Sequence, residues 1–188
     1  FNGQPIKIKG VNHHDTNHKT GYVMSFEDIR KDLELMKRFN VNAIRTSHYP
    51  PDPFFLELCD HYGLYVVDEA DIETHGIWDL GCEGGAISHD LKWAPRYMDR
   101  VKRMYFRDRT HGSIIMWSLG NESWGYKCHD KCYKMLKSLT DIPVHYEGVC
   151  RTKRYHYDVF SEMYTHQDDM KKIQRRKRGK QYTEVPFY

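Results

Sequence analysis

The stretch SIIMWSLGNES (residues 113–123) contains the change in chemistry that decides the fold. Its first part is an uninterrupted apolar run, typical of a strand buried on both faces of a parallel sheet, and the run ends abruptly at Asn121 and Glu122. The stretch LYVVDEA (64–70) has the same form and also ends in acids. The sequence therefore predicts a parallel sheet whose strands carry polar side chains at their carboxyl ends.

Strand-like and helix-like segments alternate along the chain. Strands are predicted at 5–10, 41–46, 64–70, 113–120, 143–148, 158–164 and 185–188. Helices are predicted at 25–40, 52–63, 94–112, 129–139 and 168–178. Ser25 and Asp28 form a capping-box pair at the start of the first helix. This alternation is typical of a parallel sheet covered by helices, which is either a doubly wound sheet or a (β/α)₈ barrel.

Polar side chains follow strand after strand, and this favours the barrel. The residues are His13, His14, Asp15, Arg45, His48, Glu69, Glu73, His75, Asn121, Glu122, Glu147 and Tyr164. Barrel active sites are built from the loops at the carboxyl ends of the strands. No Gly-x-Gly-x-x-Gly follows the first strand, which disfavours a nucleotide-binding doubly wound sheet. We predict an α/β TIM (β/α)₈ barrel, incomplete in this chain, with about seven readable strands, the last unfinished.

Composition limits the class of protein. The chain has 188 residues, 39% of them hydrophobic, and a net charge of +3. No apolar run approaches the ~20 residues of a membrane helix, so no membrane partner is expected. The five cysteines are odd in number and form no disulfide framework, which favours reduced thiols and a cytoplasmic location. CHDKC (128–132) lacks the second ligand cluster that a zinc site needs.

The segment KKIQRRKRGK (171–180) holds seven lysines and arginines. Such a run can bind phosphates, so a nucleic-acid-binding module is an alternative function. No aromatic residue for base stacking is interleaved within it. We therefore interpret the segment as a solvated helix and loop, and we expect no nucleic-acid partner.

Glu122 and Asn121 are the first candidates for chemistry. A carboxylate at the end of a buried strand can serve as a proton donor near neutral pH, and an amide beside it can hold a substrate hydroxyl. Glu73 and His75, in DIETHG (71–76), could share a metal ion with Glu122. Two carboxylates and one imidazole, with room for waters, suit Mg²⁺ or Mn²⁺ better than zinc. Alternatively, Glu73 and His75 hydrogen-bond each other or Arg45.

Arg45 and His48, in RTSHYP (45–50), could bind carboxylates and hydroxyls of a ligand. Trp124 directly follows the acidic stretch and is a candidate platform for stacking a sugar. Trp117 lies inside a predicted strand, and we expect it to be a core residue.

Five motifs together resemble the large β-galactosidase branch of glycoside hydrolase family two. They are GVNHHD (10–15), NAIRTSHYP (42–50), YGLYVVDEADIETHG (62–76), WSLGNES (117–123) and PVHYEG (143–148). They occur in order across essentially the whole chain. The resemblance implies that residues 1–188 are part of a TIM-barrel catalytic domain that hydrolyses terminal β-D-galactosides with retention. DEADIETHG and SHYP point to this branch rather than to β-glucuronidases or β-mannosidases.

The resemblance also implies roles for single residues. The family's acid/base glutamate falls on Glu122, and its magnesium ligands fall on Glu73, His75 and Glu122. Its sugar-binding residues fall on His14, His48, Asn121 and Tyr164, with Arg45 beside the nucleophile. In the full-length parent we expect a homo-oligomer with additional β-sandwich domains.

The sequence departs from the family pattern at three places. NHHD (12–15) stands where Arg-His-Glu is common, and GNESW (120–124) replaces Gly-Asn-Glu-Ser-Gly. The family's nucleophile follows the seventh strand, so we expect it to be absent from this chain and the fragment alone to be inactive. Glu184 is the other candidate, but it precedes the apolar strand residues. If the parent lacks a nucleophile, the alternative function is a non-catalytic carbohydrate-binding remnant.

Overall fold

A computed structural model describes residues 1–154 and 156–169, and within them five strands form one parallel sheet. The strands are β1 (Gly10–His13), β2 (Ala43–Thr46), β3 (Tyr65–Glu69), β4 (Ile114–Ser118) and β5 (Val144–His145). Their spatial order is β1-β2-β3-β4-β5, and each pairs in parallel with the next. A doubly wound sheet reverses its strand order, whereas a barrel adds strands in one direction. The observed order is therefore that of an incomplete barrel.

Helices follow the strands and cover one face of the sheet. They are α1 (Phe26–Arg38), α2 (Pro53–Tyr62), α3 (Ala86–His89), α4 (Ala94–Asp108), α5 (Lys127–Lys137) and α6 (Val149–Thr152). The predicted capping box at α1 is present, because Ser25 and Asp28 satisfy each other's backbone N–H groups. At the carboxyl end of α2, Gly63 takes the left-handed conformation that glycine adopts without strain. Short 3₁₀ turns at His75–Leu80 and Leu91–Trp93 were not predicted.

Two apolar clusters lie on opposite faces of the sheet. The larger one packs the sheet against the helices and includes Leu33, Phe55 and the fully buried Trp117, as expected for a core tryptophan. The smaller one contains Val67 and Ile115 on the face that helices leave uncovered. Strand residues alternate between these faces. Polar residues at every second position therefore lie on the same face as the smaller cluster, toward the carboxyl ends of the strands.

The first strand was predicted at 5–10, and this placement is wrong because the strand is Gly10–His13. The side chain of Asn42 explains the difference. Its Oδ1 accepts the N–H of Lys9 at 2.7 Å, and its Nδ2 donates to the carbonyl of Lys7 at 2.9 Å. The side chain of Asn42 therefore takes two of the hydrogen bonds that a backbone ladder would make, and the one backbone bond here runs from Asn42 N–H to the carbonyl of Lys9 at 3.0 Å. The ladder begins only at Gly10, where an added Cβ would lie 3.3 Å from the carbonyl oxygen of Ala43.

The strand predicted at 158–164 is also wrong, since the structure has only an isolated bridge residue, Phe160, in that segment. Asp158 replaces the backbone ladder there, because its carboxylate accepts the N–H of Val144 at 2.8 Å and the hydroxyl of Tyr133 at 2.9 Å. Val159 is still buried and Phe160 packs against the core. Burial, rather than pairing, accounts for its strand-like composition. The fifth strand is shorter than predicted, with two residues in the ladder.

Some predictions lie outside the described residues. These are most of the helix 168–178, the basic segment 171–180, the strand 185–188 and Glu184. Within the described part of the chain, no helix is both long and apolar enough to span a bilayer. All five cysteines are free thiols. Among the described residues, Cys128 and Cys132 belong to no cluster of potential metal ligands.

Candidate active site

Glu69, the last residue of β3, is the centre of the polar edge. Its carboxylate is fully buried and accepts two hydrogen bonds from Arg45, from Nε at 2.7 Å and from a terminal nitrogen at 2.9 Å. His48 Nδ1 donates to it at 2.8 Å and Ser118 Oγ at 2.6 Å. Burial alone would raise the pKa of Glu69, but the bond from His48 and the charge of Arg45 outweigh it and lower the pKa below its ordinary value. Glu69 is therefore a fixed anion that orients Arg45 and His48.

The hydrogen-bond chain continues from Ser118 to His145. Ser118 Oγ gives its proton to Glu69, so it must accept from His145 Nδ1, which lies 2.8 Å away. The opposite nitrogen, Nε2, lies 2.9 Å from Ser161 Oγ and accepts its proton. Burial lowers the pKa of His145 to about 4, so the imidazole is neutral at neutral pH. This series of hydrogen bonds fixes one tautomer of His145 and orients the Ser118 hydroxyl toward Glu69.

The side chain of Asn121 connects Arg45 with Glu73. Its Oδ1 accepts from Arg45 at 2.9 Å, and its Nδ2 donates to Glu73 Oε1 at 3.2 Å. Gly120 makes this placement possible, because its φ is +108° and an added Cβ would lie 2.3 Å from the carbonyl oxygen of Ile72. The backbone of the turn after β4 thus approaches that loop closely, and Asn121 N–H donates to the same carbonyl at 2.8 Å.

Glu122 lies next to Asn121 with both carboxylate oxygens engaged. His75 Nδ1 lies 2.6 Å from Oε2 in an ion-pair contact, and the hydroxyl of Tyr164 donates to Oε1 at 3.2 Å. The residue is 9% exposed, so it is shielded yet reachable. Tyr164 is 88% exposed and comes from the segment that was expected to be the sixth strand. A carboxylate with this exposure, one hydroxyl donor and one imidazole contact can exchange a proton with a bound ligand.

Glu73, His75 and Glu122 place one ligand atom each within 4.8 Å of one another. The predicted trio is therefore brought together, and the alternative in which Glu73 and His75 contact only each other or Arg45 is not what the structure shows, since His75 contacts Glu122. Two carboxylates and one imidazole match the donor set that Mg²⁺ or Mn²⁺ accepts. The side chain of His75 is 57% exposed, so the open side leaves space for waters.

His14 and His48 lie together at the β1–β2 side of the site. Their rings are 5.3 Å apart in an edge arrangement, and His14 Nδ1 lies 3.3 Å from the hydroxyl of Tyr49. Burial, and then the neighbouring His48, lower the pKa of His14. By contrast, His13 points to the helix side, where it bonds Asp32 and stacks on Phe55, so it is structural. The alternation of side chains along β1 explains this difference.

Trp124 stands on the other side of Glu122. Its ring lies 5.0 Å from the ring of His75 and 5.2 Å from that of Trp78. The guanidinium of Arg151 lies over the Trp124 ring at 5.1 Å, and Arg151 in turn pairs with the carboxylate of Glu147. Burial raises the pKa of Glu147 above its usual range, and the charge of Arg151 only partly offsets this. One face of Trp124 is therefore occupied by an arginine.

The structure assembles all nine predicted site residues around one edge. They are His14, Arg45, His48, Glu73, His75, Asn121, Glu122 and Trp124, and Tyr164 joins them through Glu122. Sequence reasoning placed Glu69 at a strand end but gave it no role. It missed Ser118 and His145, although they are the last residues of β4 and β5. It also missed Trp78, which lies in a loop without regular periodicity.

A singly wound α/β sheet with clustered carboxylates at its carboxyl edge defines the TIM-barrel class of enzyme domains. Residues 1–187 match the family described as "Glycosyl hydrolases family 2, TIM barrel domain". The chain therefore belongs to glycosyl hydrolase family 2, and the prediction of an incomplete TIM barrel of this family is confirmed.

Curated relatives agree with this assignment. The chain is 47% identical over 170 residues to a β-galactosidase of Pectobacterium atrosepticum, covering 90% of the chain and 16% of that protein. It is 45% identical over 177 residues to a β-galactosidase of Streptococcus thermophilus, covering 90% of the chain and 17% of that protein. The chain thus spans about a sixth of the length of these relatives.

Solved structures share the fold. A β-D-glucuronidase of Dictyoglomus thermophilum matches with a TM-score of 0.76 at 25% identity, over 86% of this chain and 30% of that one. A β-galacturonidase of Eisenbergiella tayi also gives 0.76, at 23% identity, over 99% of this chain and 35% of that one.

Proposed function

We propose that this chain is part of a β-galactosidase that hydrolyses terminal β-D-galactosides with retention of configuration. The observation that carries the proposal is the position of Glu122, whose carboxylate is shielded, held by His75 and Tyr164, and flanked by the fixed Arg45–Glu69 pair. The curated relatives at 45–49% identity are β-galactosidases, which supports galactose as the sugar.

In this proposal Glu122 donates a proton to the leaving glycosidic oxygen and later takes one from the attacking water. Retention needs a second carboxylate ~5 Å away that attacks the anomeric carbon. Of the carboxylates described nearby, Glu69 is committed to Arg45, Glu147 to Arg151, and Glu73 is assigned to the metal ion. We therefore assign the nucleophile to a residue outside those described, in agreement with the family pattern.

The polar residues on the β1–β2 side would hold the galactose. His14, His48 and Asn121 offer ring nitrogens and an amide to hydroxyl groups, and Glu69 keeps His48 in a single orientation. Arg45 donates to Glu69 and Asn121 and holds both side chains in place. Such preorganised donors need no rearrangement when charge develops at the sugar.

Magnesium, with manganese as the alternative, would be held by Glu73, His75 and Glu122. The ion would supply fixed positive charge beside the acid/base residue. The short His75–Glu122 contact and the approach of the three ligand atoms support this assignment. Calorimetric titration of the parent with Mg²⁺ tests it, since Glu73→Gln should weaken binding at least tenfold. Unchanged binding would rule out Glu73 as a ligand.

The test of the reaction is the dependence of Glu122→Gln on the leaving group, measured in the full-length parent. Substrates with poor leaving groups need the proton, so their kcat/KM should fall by about 10²–10⁴. Substrates with activated aryl groups need it far less. Proton NMR of the first product should show the β-anomer.

Glu57→Gln is the matched control, because Glu57 is exposed on α2 and distant from the polar edge. It should leave both classes of substrate unaffected. Equal losses on good and poor leaving groups would remove Glu122 from the acid/base role, and an α-anomeric first product would exclude retention.

A further inference from the structure

Trp78 and Trp124 form an aromatic corner, named here for these two residues. Their ring centroids lie 5.2 Å apart with the planes tilted by 44°, and Trp78 is 54% exposed. Large exposed aromatic side chains cost free energy in water unless a ligand or partner covers them. Trp78 follows DIETHG in the same loop as two of the proposed metal ligands, so the corner belongs to the edge that carries the chemistry.

The loop is shaped to keep the Trp78 ring in place. An added Cβ on Gly84 would lie 2.0 Å from Nε1 and 2.8 Å from Cε2 of Trp78. Only a glycine therefore allows the indole to lie directly against this stretch of backbone. The adjacent Gly85 lets the backbone at Trp124 approach, because a Cβ there would lie 2.9 Å from the carbonyl oxygen of Trp124. The Trp78 ring and the Trp124 backbone thus both lie against this glycine pair.

Trp124 is held in place by contacts on one face of its ring. Its φ is +48°, a conformation that side-chain-bearing residues rarely adopt, so surrounding contacts must hold it. The guanidinium of Arg151 covers one face of the ring at 5.1 Å. Arg151 is itself tied to Glu147, whose side chain is 1% exposed. This brace leaves Trp78 as the more open of the two rings.

The corner lies across Glu122 from the galactose-binding residues. On one side, Asn121 connects the site to Arg45 at 2.9 Å. On the other, His75 contacts Glu122 at 2.6 Å and its ring lies 5.0 Å from that of Trp124. An acid that protonates the glycosidic oxygen stands between the sugar being cleaved and its leaving group. With the polar pocket on one side, the aromatic side is where the leaving group lies.

We propose that the Trp78–Trp124 corner is the binding site for the leaving group and that it selects a pyranose sugar there. This inference rests on the proposed function and adds the class of aglycone. A pyranose ring offers a flat face of C–H groups that packs on an indole, and its rim of hydroxyls stays in water. The 54% exposure of Trp78 matches one ring covered on a single face rather than a deep apolar pocket.

The test compares two substrates in the full-length parent, a β-galactosyl-glucose disaccharide and methyl β-D-galactoside. The measured quantity is the ratio of their kcat/KM values. Trp78→Ala should lower this ratio about tenfold, equivalent to about 1.4 kcal/mol. Trp78→Leu, which keeps apolar volume without a flat face, should lower it similarly, and Trp78→Phe should keep it within about threefold. Arg151→Lys, which keeps the charge beside Glu147 but not the planar cover of Trp124, should lower it two- to threefold.

Phe39→Ala is the control, because Phe39 is 75% exposed just beyond α1 and should leave the ratio unchanged. If the parent cleaves both substrates and neither Trp78→Ala nor Trp78→Leu changes the ratio, the inference is overturned and the proposed function stands. An equal loss on both substrates also overturns it. A parent that cleaves no β-galactoside refutes the proposed function and the inference together.

Discussion

Glu69→Gln should be one of the most destabilising conservative substitutions among the described residues. Both oxygens of Glu69 contact Arg45, Oε2 at 2.7 Å and Oε1 at 2.9 Å. A glutamine places an NH₂ group at one of these two positions whichever way the amide is turned. An N–H donor then faces an N–H donor of the guanidinium, and the charge of Arg45 loses its partner.

The magnitude follows from burial. The side chain of Glu69 is 0% exposed and that of Arg45 is 9% exposed, so water does not compensate for the lost partner. Removing one member of a buried ion pair costs about 3–5 kcal/mol. Ser118→Ala removes only one of the four donors and should cost about 1–2 kcal/mol. The exposed control Glu57→Gln should cost less than about 0.5 kcal/mol.

The pH dependence gives an independent check of sign. The native pKa of Glu69 is lowered from its ordinary value, so its ionised form stabilises the fold. That contribution is complete above the ordinary pKa of about 4.5 and is lost as the pH falls through the lower, native pKa. The difference in unfolding free energy between the wild type and Glu69→Gln should therefore be largest at neutral pH and shrink below about pH 4.5.

Urea unfolding of the full-length parent, followed by tryptophan fluorescence, measures both effects, because Trp117 is fully buried beside this site. A cost below about 1 kcal/mol at pH 7 would contradict the buried-pair reasoning. A difference that stays constant from pH 7 to pH 3.5 would show that ionised Glu69 does not contribute as described.

Four further substitutions test other parts of the fold. Burial and the neighbouring Asp108 carboxylate raise the pKa of Asp68 well above its usual range, so Asp68→Asn should leave the free energy of unfolding at pH 7 unchanged or raise it. Asp108→Asn removes the ion pair with Arg107 and should lower the free energy of unfolding, measured in urea, by about 1–3 kcal/mol. Burial lowers the pKa of His129 to about 3, so part of the wild-type stability is lost as the pH falls from 6.5 to 3. His129→Phe should remove that part of the loss, and identical profiles of unfolding free energy against pH for the wild type and the variant would contradict this. Gly120→Ala should lower the thermal midpoint and the activity together, because φ is +108° there, and a wild-type midpoint would show that the turn can move.

The predictable part of the fold is the part governed by continuous burial. LYVVDEA and SIIMWSLG are apolar because nearly every residue of β3 and β4 is buried, whichever face it points to, and this pattern can be recognised from the sequence alone. The helices that begin at Ser25 and Asp52 carry their own capping residues, so their starts were also predictable. The candidate site followed from the same strands, since polar residues came directly after each apolar run.

The missed features depend on side chains that replace backbone pairing. Asn42 and Asp158 accept backbone N–H groups that would otherwise belong to a ladder, and no local propensity reveals which asparagine or aspartate will do this. The role of Glu69 depends on donors 21 to 49 residues away in the chain. Trp78 is placed by the absence of a side chain at Gly84, a contact that only the folded loop creates.

The consecutive order of the strands has a consequence for biosynthesis. Every strand of the described sheet pairs with the strand translated just before it, from Gly10 beside Ala43 to Trp117 beside Val144. Because a domain emerges amino terminus first at ~5–20 residues per second, each βα unit meets an edge that already exists as it leaves the ribosome. The sheet can thus grow by addition at a single moving edge, without waiting for distant sequence. That edge stays open to unwanted partners only until the next unit arrives.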